Sequence, residues 1–389
     1  MIKINRPACI LPKYLYGQKE FGFSPEYNAI YLPLKKKFPN IKFFDSLSIK
    51  NIKSLNKKII NFCTKEKIDF IFFSVYHYEI YTETLKELKL SLGIYLVNWS
   101  SDDSWRFNQH SKLLSPYFDT MITTSKEANS HYKKNKKNSI LASWGCPDHW
   151  YAKPISFKYC KYDILFVGKS YFDRKKIITN LKKDKFNVTC YGSDWGTRSL
   201  DNKEVFKKIR QSKISLNFSK SRGGIKQTKA RVFEIMGSGG FCLTEKSPEI
   251  YNFFRKSDLE TFSSYQDLKK KLKKYLNNEM LRQKVANEGN KKVKKFFYST
   301  IIKKILNQLQ YTRHQGDTFK SQLDKKESLI LYLIFWTYKN LGLLILKTIF
   351  TEKKAIKILR RILFEVEWRL RGDLVYSKYG WSSKLFDVF

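Results

Sequence analysis

The sequence predicts an α/β protein made of two consecutive domains, each a parallel sheet covered by helices, followed by a helical C-terminal extension. Two observations predict it. Short apolar runs alternate with longer amphipathic segments over residues 26–144, and after a proline-bearing stretch at 146–163 the same alternation starts again. Strand-length and helix-length segments in alternation are the mark of βαβ units, whose crossover helices cover both faces of a parallel sheet. The length of 389 residues also exceeds what one hydrophobic core fills.

In the first half, EYNAIYLPLKKKF (26–38) reads as a helix and IKFFDS (41–46) as a strand. IDFIFFS (68–74), GIYLVNWS (93–100), TMITTS (120–125) and SILASW (139–144) read as further strands, with YTETLKELKLSL (81–92) as the helix between the first two of these. The stretch CPDHWYAKPISFKYCKYD has two prolines and no period, so it reads as a linker. In the second half, YDILFVGK (162–169), FNVTCYG (186–192), ISLNFS (214–219) and GFCLTE (240–245) are strand-like. RKKIITNLKK, EVFKKIRQS and ARVFEIMGSG are the intervening helices, and two basic helices close the domain. The expected domains are 1–150 and 160–312, with an extension over 313–389.

A hydrophobic fraction of 42% and an aromatic fraction of 16% exclude an intrinsically disordered chain. The 75 Lys+Arg against 35 Asp+Glu leave a net charge of +40, which suits nucleic acid, an anionic membrane face or phosphorylated substrates. It equally suits a solvated lysine coat, because Lys, Ile, Asn, Phe and Tyr are abundant together, as AT-rich coding sequence produces. The six cysteines show no C-x-x-C spacing, which fits neither a zinc site nor a disulfide framework. The N-terminal MIKINRPACILPKYLYG lacks the apolar core of a signal peptide, so a cytoplasmic location is expected.

VGKS at 167–170 resembles the end of a P-loop, but Asp163 stands where that motif needs its first glycine, so the motif fails. Gly168 nevertheless falls where a strand ends, at the sheet edge that binds ligands in α/β folds. The stretch KARVFEIMGSGGFCLTEKSPE (229–249) is more specific. A helix beginning near Lys229 carries Arg231 and Glu234 in its first turns and ends at the run Gly237 to Gly240. A carboxylate there can accept both hydroxyls of a ribose, and the basic residues can neutralise a diphosphate. A surface helix with an ordinary glycine cap explains the same letters equally well.

The run LNFSKSRGGIKQTKARVFEIMGSGGFCLTEKSPEIYNFF, with the helix pair that follows it, resembles the C-terminal domain of group 1 glycosyltransferases, particularly their CgeB-like branch. The matching residues are Arg231, Phe233, Glu234, Gly239, Gly240, Thr244, Glu245, Arg282, Ala286 and Gly289. DILFVGKSYFDRKKII, YGSDW and NWSSDDSWRF extend the likeness over roughly residues 20–312. The resemblance implies a GT-B fold: two facing Rossmann-like domains, the second holding a nucleotide diphosphate sugar and the first an acceptor. It implies Glu234 on the ribose, Arg231 and Lys229 on the diphosphate with Lys169 and Arg174 assisting, and Gly168, Gly239 and Gly240 in the donor site. In related retaining enzymes an E-x7-E pair is common, and its first position is Lys226 here. No cofactor or bound metal is expected beyond the donor itself, and no specific nucleic-acid partner. The alternative is a non-catalytic protein of the same fold that binds nucleic acid or another anionic polymer.

For the acceptor, Asp102 and Asp103 follow the strand GIYLVNWS, where a carboxylate takes a proton or binds a sugar hydroxyl, or where it caps the next helix. His77 and His149 are weaker candidates on the same argument. A glycan or a lipid-linked acceptor is expected. In the extension, SLILYLIFWTYKNLGLLILKTIF (328–350) is apolar but carries Lys339, Asn340 and Lys347, against a single membrane span. The next segment puts Ile356, Leu359, Ile362, Leu363 and Val366 on one side and five cations from Lys353 to Arg361 on the other. Contact of that helix with an anionic membrane and packing of the tail back onto the first domain both follow from this pattern, with packing expected for most of it.

Overall fold

The computed structural model describes residues 4–171, 173–198, 200–221, 224–309, 329–381 and 383. By its internal contacts the chain divides into two units: Met1–Pro12 with Asn40–Leu141 and Leu309–Phe389, and Lys13–Pro39 with Ala142–Gln308. The contiguous division at 1–150 and 160–312 does not follow these contacts. The helical turns over residues 27–37 pack on the Tyr298–Gln308 helix and so join the second unit, whereas the C-terminal helices join the first. Residues 313–328 and 384–389 of the expected extension lie outside the described residues.

The first unit holds a parallel sheet of β1 (Pro7–Leu11), β2 (Lys42–Asp45), β3 (Phe70–Phe73), β4 (Tyr95–Ser100), β5 (Thr120–Thr123) and β6 (Ser139–Leu141), ordered β2-β1-β3-β4-β5-β6. The strand β1 was not among the expected ones. Its five residues, PACIL, are all buried between β2 and β3, where Ile10 pairs with Phe44 on one side and Phe73 on the other. Central parallel strands are covered on both faces and so read as continuous apolar runs. The Ile52–Lys65 helix starts at Asn51, whose side chain accepts the Ser54 N–H at 2.8 Å, and buries Leu55, Ile59 and Cys63 against the sheet.

The Glu352–Arg371 helix turns Phe364 and Trp368 onto this same core and Ala355, Leu359 and Leu363 toward its neighbours. Beyond it, Tyr376 donates to the Gln109 carbonyl at 2.8 Å and Tyr117 donates to Asp373. The buried ion pair Glu367–Arg371 at 2.8 Å also receives the Trp381 N–H on Glu367. This helix, for which the sequence also suggests contact with an anionic membrane, thus packs one side on the first-unit core. The Leu329–Ile349 helix buries Phe335 and leaves Leu333, Leu341 and Leu344 exposed.

The second unit holds β7 (Tyr162–Val167), β8 (Val188–Tyr191), β9 (Ser212–Asn217), β10 (Cys242–Glu245) and β11 (Glu260–Phe262), ordered β11-β10-β9-β7-β8 and parallel throughout. The edge strand β11 was also unexpected, being three residues long and without an apolar run. Arg282, on the Glu279–Val293 helix, is fully buried and donates to the carbonyls of Lys213, Ile155 and Ser212 at 2.8–3.0 Å. It thereby ties that helix to the start of β9 and to the chain entering β7.

Candidate functional site

At the carboxyl edge of β7 and β8 the two strands leave the sheet through Gly168 and Gly192. The Gly168 N–H donates to the Tyr191 carbonyl at 2.9 Å, and the Trp195 indole donates to the Gly168 carbonyl at 2.7 Å. Gly192 has φ of 123°, and a Cβ on it would stand 2.6 Å from the Gly168 oxygen, so only glycine fits this crossing. The two turns open a cavity of about 460 Å³ whose lining residues all belong to the second unit. Val167, Gly168 and Lys169 form one wall, Gly192 and Ser193 another, and Arg231 and Glu234 face them from the Ala230–Gly237 helix.

That helix follows Lys229, whose backbone is extended (φ −88°, ψ 154°) and whose side chain makes no capping hydrogen bond. Its N-terminus is thus a positive, undercapped end. Arg231 and Glu234 lie one turn apart and form an ion pair, 2.7 Å between Nη1 and Oε2. Arg231 Nη1 is buried with Glu234 as its ion-pair partner, so an anion entering the cavity would share the guanidinium with that carboxylate. Tyr298 lines the same cavity, and its burial and the neighbouring Glu234 push its phenol well above the ordinary range, which keeps it a donor.

Four of the expected donor-site residues, Gly168, Lys169, Arg231 and Glu234, therefore line one cavity. Others stand elsewhere. Arg174 is buried and braces the site's loop, donating to the carbonyls of Lys169 at 3.1 Å and Lys220 at 3.0 Å while stacking over Tyr171. Lys229 occupies the position before the helix and is not in the cavity lining. Gly239 and Gly240, expected in the donor site, are not in the cavity lining. Gly239 has φ of 76° and its Cβ would meet the Lys153 carbonyl at 2.7 Å, while a Cβ on Gly240 would meet Ile209 at 2.8 Å. The close approach that these glycines permit is by the protein's own chain, at the far end of the helix from Arg231. Lys226 forms an ion pair with Glu245 at 2.9 Å, and Glu245 also accepts from Ser219. Burial works to raise the Glu245 pKa, and these bonds outweigh it and lower it.

Sequence reasoning missed the wall made by Tyr16, Phe21, Phe23 and Asn28, which come from Lys13–Pro39. Asn202, at the start of the next helix, donates to the Phe23 carbonyl at 2.8 Å and holds that wall in place. A larger and shallower depression of about 890 Å³ lies beside Lys161 and Gln211, where β7 and β9 begin. Ligands of open parallel sheets bind at the carboxyl ends of the strands, which favours the smaller cavity.

In the first unit, Asp102 and Asp103 follow β4 as expected but differ in kind. Asp103 is 5% exposed and accepts from Ser111 and, at 3.3 Å, from Tyr132. Burial raises its pKa to about 6 against those bonds. Its two oxygens thus fasten the turn after β4 from a buried position. Asp102 is half-buried and caps no N–H with its side chain. His77 is exposed, with Nδ1 3.3 Å from Arg106 Nη2, and His149 is lowered by burial.

Residues 174–307 match the glycosyl transferase-like family. Among solved structures the chain is similar to a sucrose-phosphate synthase from Thermosynechococcus elongatus, at 8% identity and a TM-score of 0.55, covering 78% of this chain and 99% of that one. It is similar as well to Anabaena HepE in complex with UDP (9% identity, TM-score 0.54) and with UDP-glucose (11%, 0.54), each covering 78% of this chain and 99% of the other. No curated protein matches the sequence. The two parallel Rossmann-like sheets with a C-terminal helical region make the fold that of the GT-B class.

Proposed function

We propose that the chain is a GT-B glycosyltransferase that takes a sugar from a nucleoside diphosphate sugar, with UDP as the nucleotide. One observation carries this reading: Arg231 and its ion-pair partner Glu234 meet Lys169 in a single cavity at the carboxyl edge of a parallel sheet. In the proposed complex Glu234 accepts the ribose hydroxyls, and the diphosphate lies against Arg231, Lys169 and the first N–H groups of the Ala230–Gly237 helix. As an acceptor oxygen bonds to the anomeric carbon, the bond from that carbon to the diphosphate breaks and its electron pair passes to the leaving oxygen. Fixed cations and helix dipoles lower the cost of the charge that develops there. Asp102 is the acceptor-side carboxylate in this reading and takes the acceptor's proton.

The matched family supports glycosyl transfer, and the UDP and UDP-glucose named for the HepE structures support the choice of donor nucleotide. The kinship to the CgeB-like branch rests on the residues from Arg231 to Glu245 and on Arg282 to Gly289. The acceptor is a glycan or a lipid-linked intermediate, in the assembly of a surface polysaccharide or lipopolysaccharide at the inner face of the cell membrane, and the transferred group is a hexosyl unit.

Calorimetric titration with UDP, GDP, TDP and ADP tests the reading. UDP is expected to bind, and Glu234→Ala to weaken it by about 2–3 kcal/mol, the loss of a charge-assisted contact, with an unchanged melting temperature. A folded Glu234→Ala variant with wild-type affinity removes the assignment, and silence toward all four nucleotides together with salt-sensitive DNA binding replaces the enzyme with a polyanion-binding protein.

A further inference from the structure

The depression of about 890 Å³ at the start of β7 and β9 lies at the amino edge of the sheet, away from the donor cavity, and its lining differs in kind. Lys158 and Lys161, on the chain entering β7, share it with Lys203, Lys207 and Arg210, and no carboxylate lines it. At 3.6 residues per turn the last three fall within about 60° of one another round the Asn202–Arg210 helix. All five are exposed. The acids of the neighbouring segments are engaged elsewhere: Glu204 with Arg198, Asp163 with Lys213 at 2.7 Å, and Glu279 on the Phe157 N–H at 2.7 Å. None of the five cations has an ion-pair partner among the described residues, whereas Arg231 in the donor cavity has Glu234. The stripe on the helix opposes folding, because Lys203 is its second residue, at the end whose dipole repels a cation, and Lys207 repeats the charge one turn on. The segment facing it is nonetheless fixed at both ends: Arg282 donates to the Ile155 carbonyl at 3.0 Å, and the Lys161 N–H donates to the Gln211 carbonyl at 2.8 Å.

We propose that this depression is a second ligand site, separate from the donor cavity, for a small molecule that bears a polyphosphate group. Five cations without an acid among them match several negative charges held close together, which linked phosphates carry and a single carboxylate does not. The cations converge on one depression with the volume of a small-molecule site, whereas a surface that follows a polymer spreads them along a groove. Phe206 and Tyr159 add apolar and aromatic surface to the lining, with the Lys158 ammonium 4.9 Å from the centre of the Tyr159 ring, so an organic group carried on the phosphates has a face to lie against. Lys208 on the same helix is used differently, its ammonium donating to the Tyr162 and Tyr191 hydroxyls at 2.9 and 3.1 Å, and it is not part of the lining. The site goes beyond the transferase reading and does not depend on it.

Calorimetric titration of the full chain with inorganic tripolyphosphate tests it. The wild type is compared with the triple variant Lys203→Gln, Lys207→Gln, Arg210→Gln, with the double variant Lys158→Gln, Lys161→Gln, and with Lys169→Gln, Arg231→Gln in the donor cavity. All five positions at the depression are exposed, so both of its variants are expected to fold, and the triple variant to melt no lower than the wild type because it removes like-charge repulsion. The wild type should bind tripolyphosphate, and each depression variant should lose affinity by on the order of tenfold or more. The donor-cavity variant should keep this binding, and the UDP binding that Glu234→Ala weakens should be unchanged in both depression variants, which separates a failure here from a failure of the transferase reading. ATP tells the two sources of the phosphate apart: tighter binding than tripolyphosphate, lost in Tyr159→Ser, marks a nucleotide, and equal binding marks the phosphate chain alone. A wild type that does not bind tripolyphosphate overturns the proposal, as do depression variants that bind it like the wild type. So does a single-stranded oligothymidylate that binds more tightly than tripolyphosphate through the same five cations, since the occupant would then be a nucleic-acid strand.

Discussion

At the scale of single residues, the two adjacent carboxylates after β4 show how one position in the chain decides a side chain's chemistry. Asp103 is enclosed, and burial raises its pKa from 3.8 to about 6. Between those values the folded state binds a proton that the unfolded state has released, so the folded state loses stability as pH rises from about 4 to about 6 and no further above it. The shift corresponds to on the order of 3 kcal/mol. Asp103→Asn should remove this dependence: in chemical denaturation the variant should gain on the wild type across that pH window and hold its gain above it. A variant that tracks the wild type at every pH would show that the carboxyl is not desolvated. None of this was legible in the letters Asp-Asp, because the enclosing groups, Ser111 and Tyr132, come from 8 and 29 residues further along the chain. Arg231 and Glu234 were legible because they are a turn apart on one helix, and a local spacing survives without knowledge of the fold.

At the scale of elements, the Ala230–Gly237 helix works with its two ends in opposite ways. Its N-terminus, with Arg231 and Glu234, faces the cavity, and beyond its C-terminus Gly239 takes the close approach of Ala152 and Lys153. Gly239→Ala should cost about 3 kcal/mol, from the left-handed backbone and the clash with the Lys153 carbonyl together. It should leave UDP affinity of the folded protein unchanged, as thermal melts and titration of one sample will show; a selective loss of affinity would return Gly239 to the donor site. Arg282→Leu should cost about 3 kcal/mol or more, since it takes the donor from one buried and two part-buried carbonyls, again without a direct effect on the nucleotide. The glycine run announced a close approach, and the sequence has no means of naming what approaches. The strands were legible wherever four or more apolar residues ran together. β11 has three residues, one of them Glu260, and β1 sits so near the N-terminus that no preceding helix frames it.

At the scale of the whole molecule, the repeat of strand–helix alternation made both sheets predictable, whereas the grouping of Lys13–Pro39 with the second unit and of Leu309–Phe389 with the first was not. Both groupings are long-range returns of the chain, decided by which surfaces meet and not by any local pattern. One of them supplies the Tyr16, Phe21 and Phe23 wall of the cavity, so the site is richer than the motif that announced it. The central claim is that this cavity of the second unit holds a nucleoside diphosphate. A crystal soaked with UDP or a UDP-sugar tests it most directly. The account predicts the ribose hydroxyls on the Glu234 carboxylate and the diphosphate on Arg231, Lys169 and the start of the Ala230–Gly237 helix. A nucleotide bound elsewhere on the chain, or a cavity that stays free of it at saturating concentration, would contradict the account.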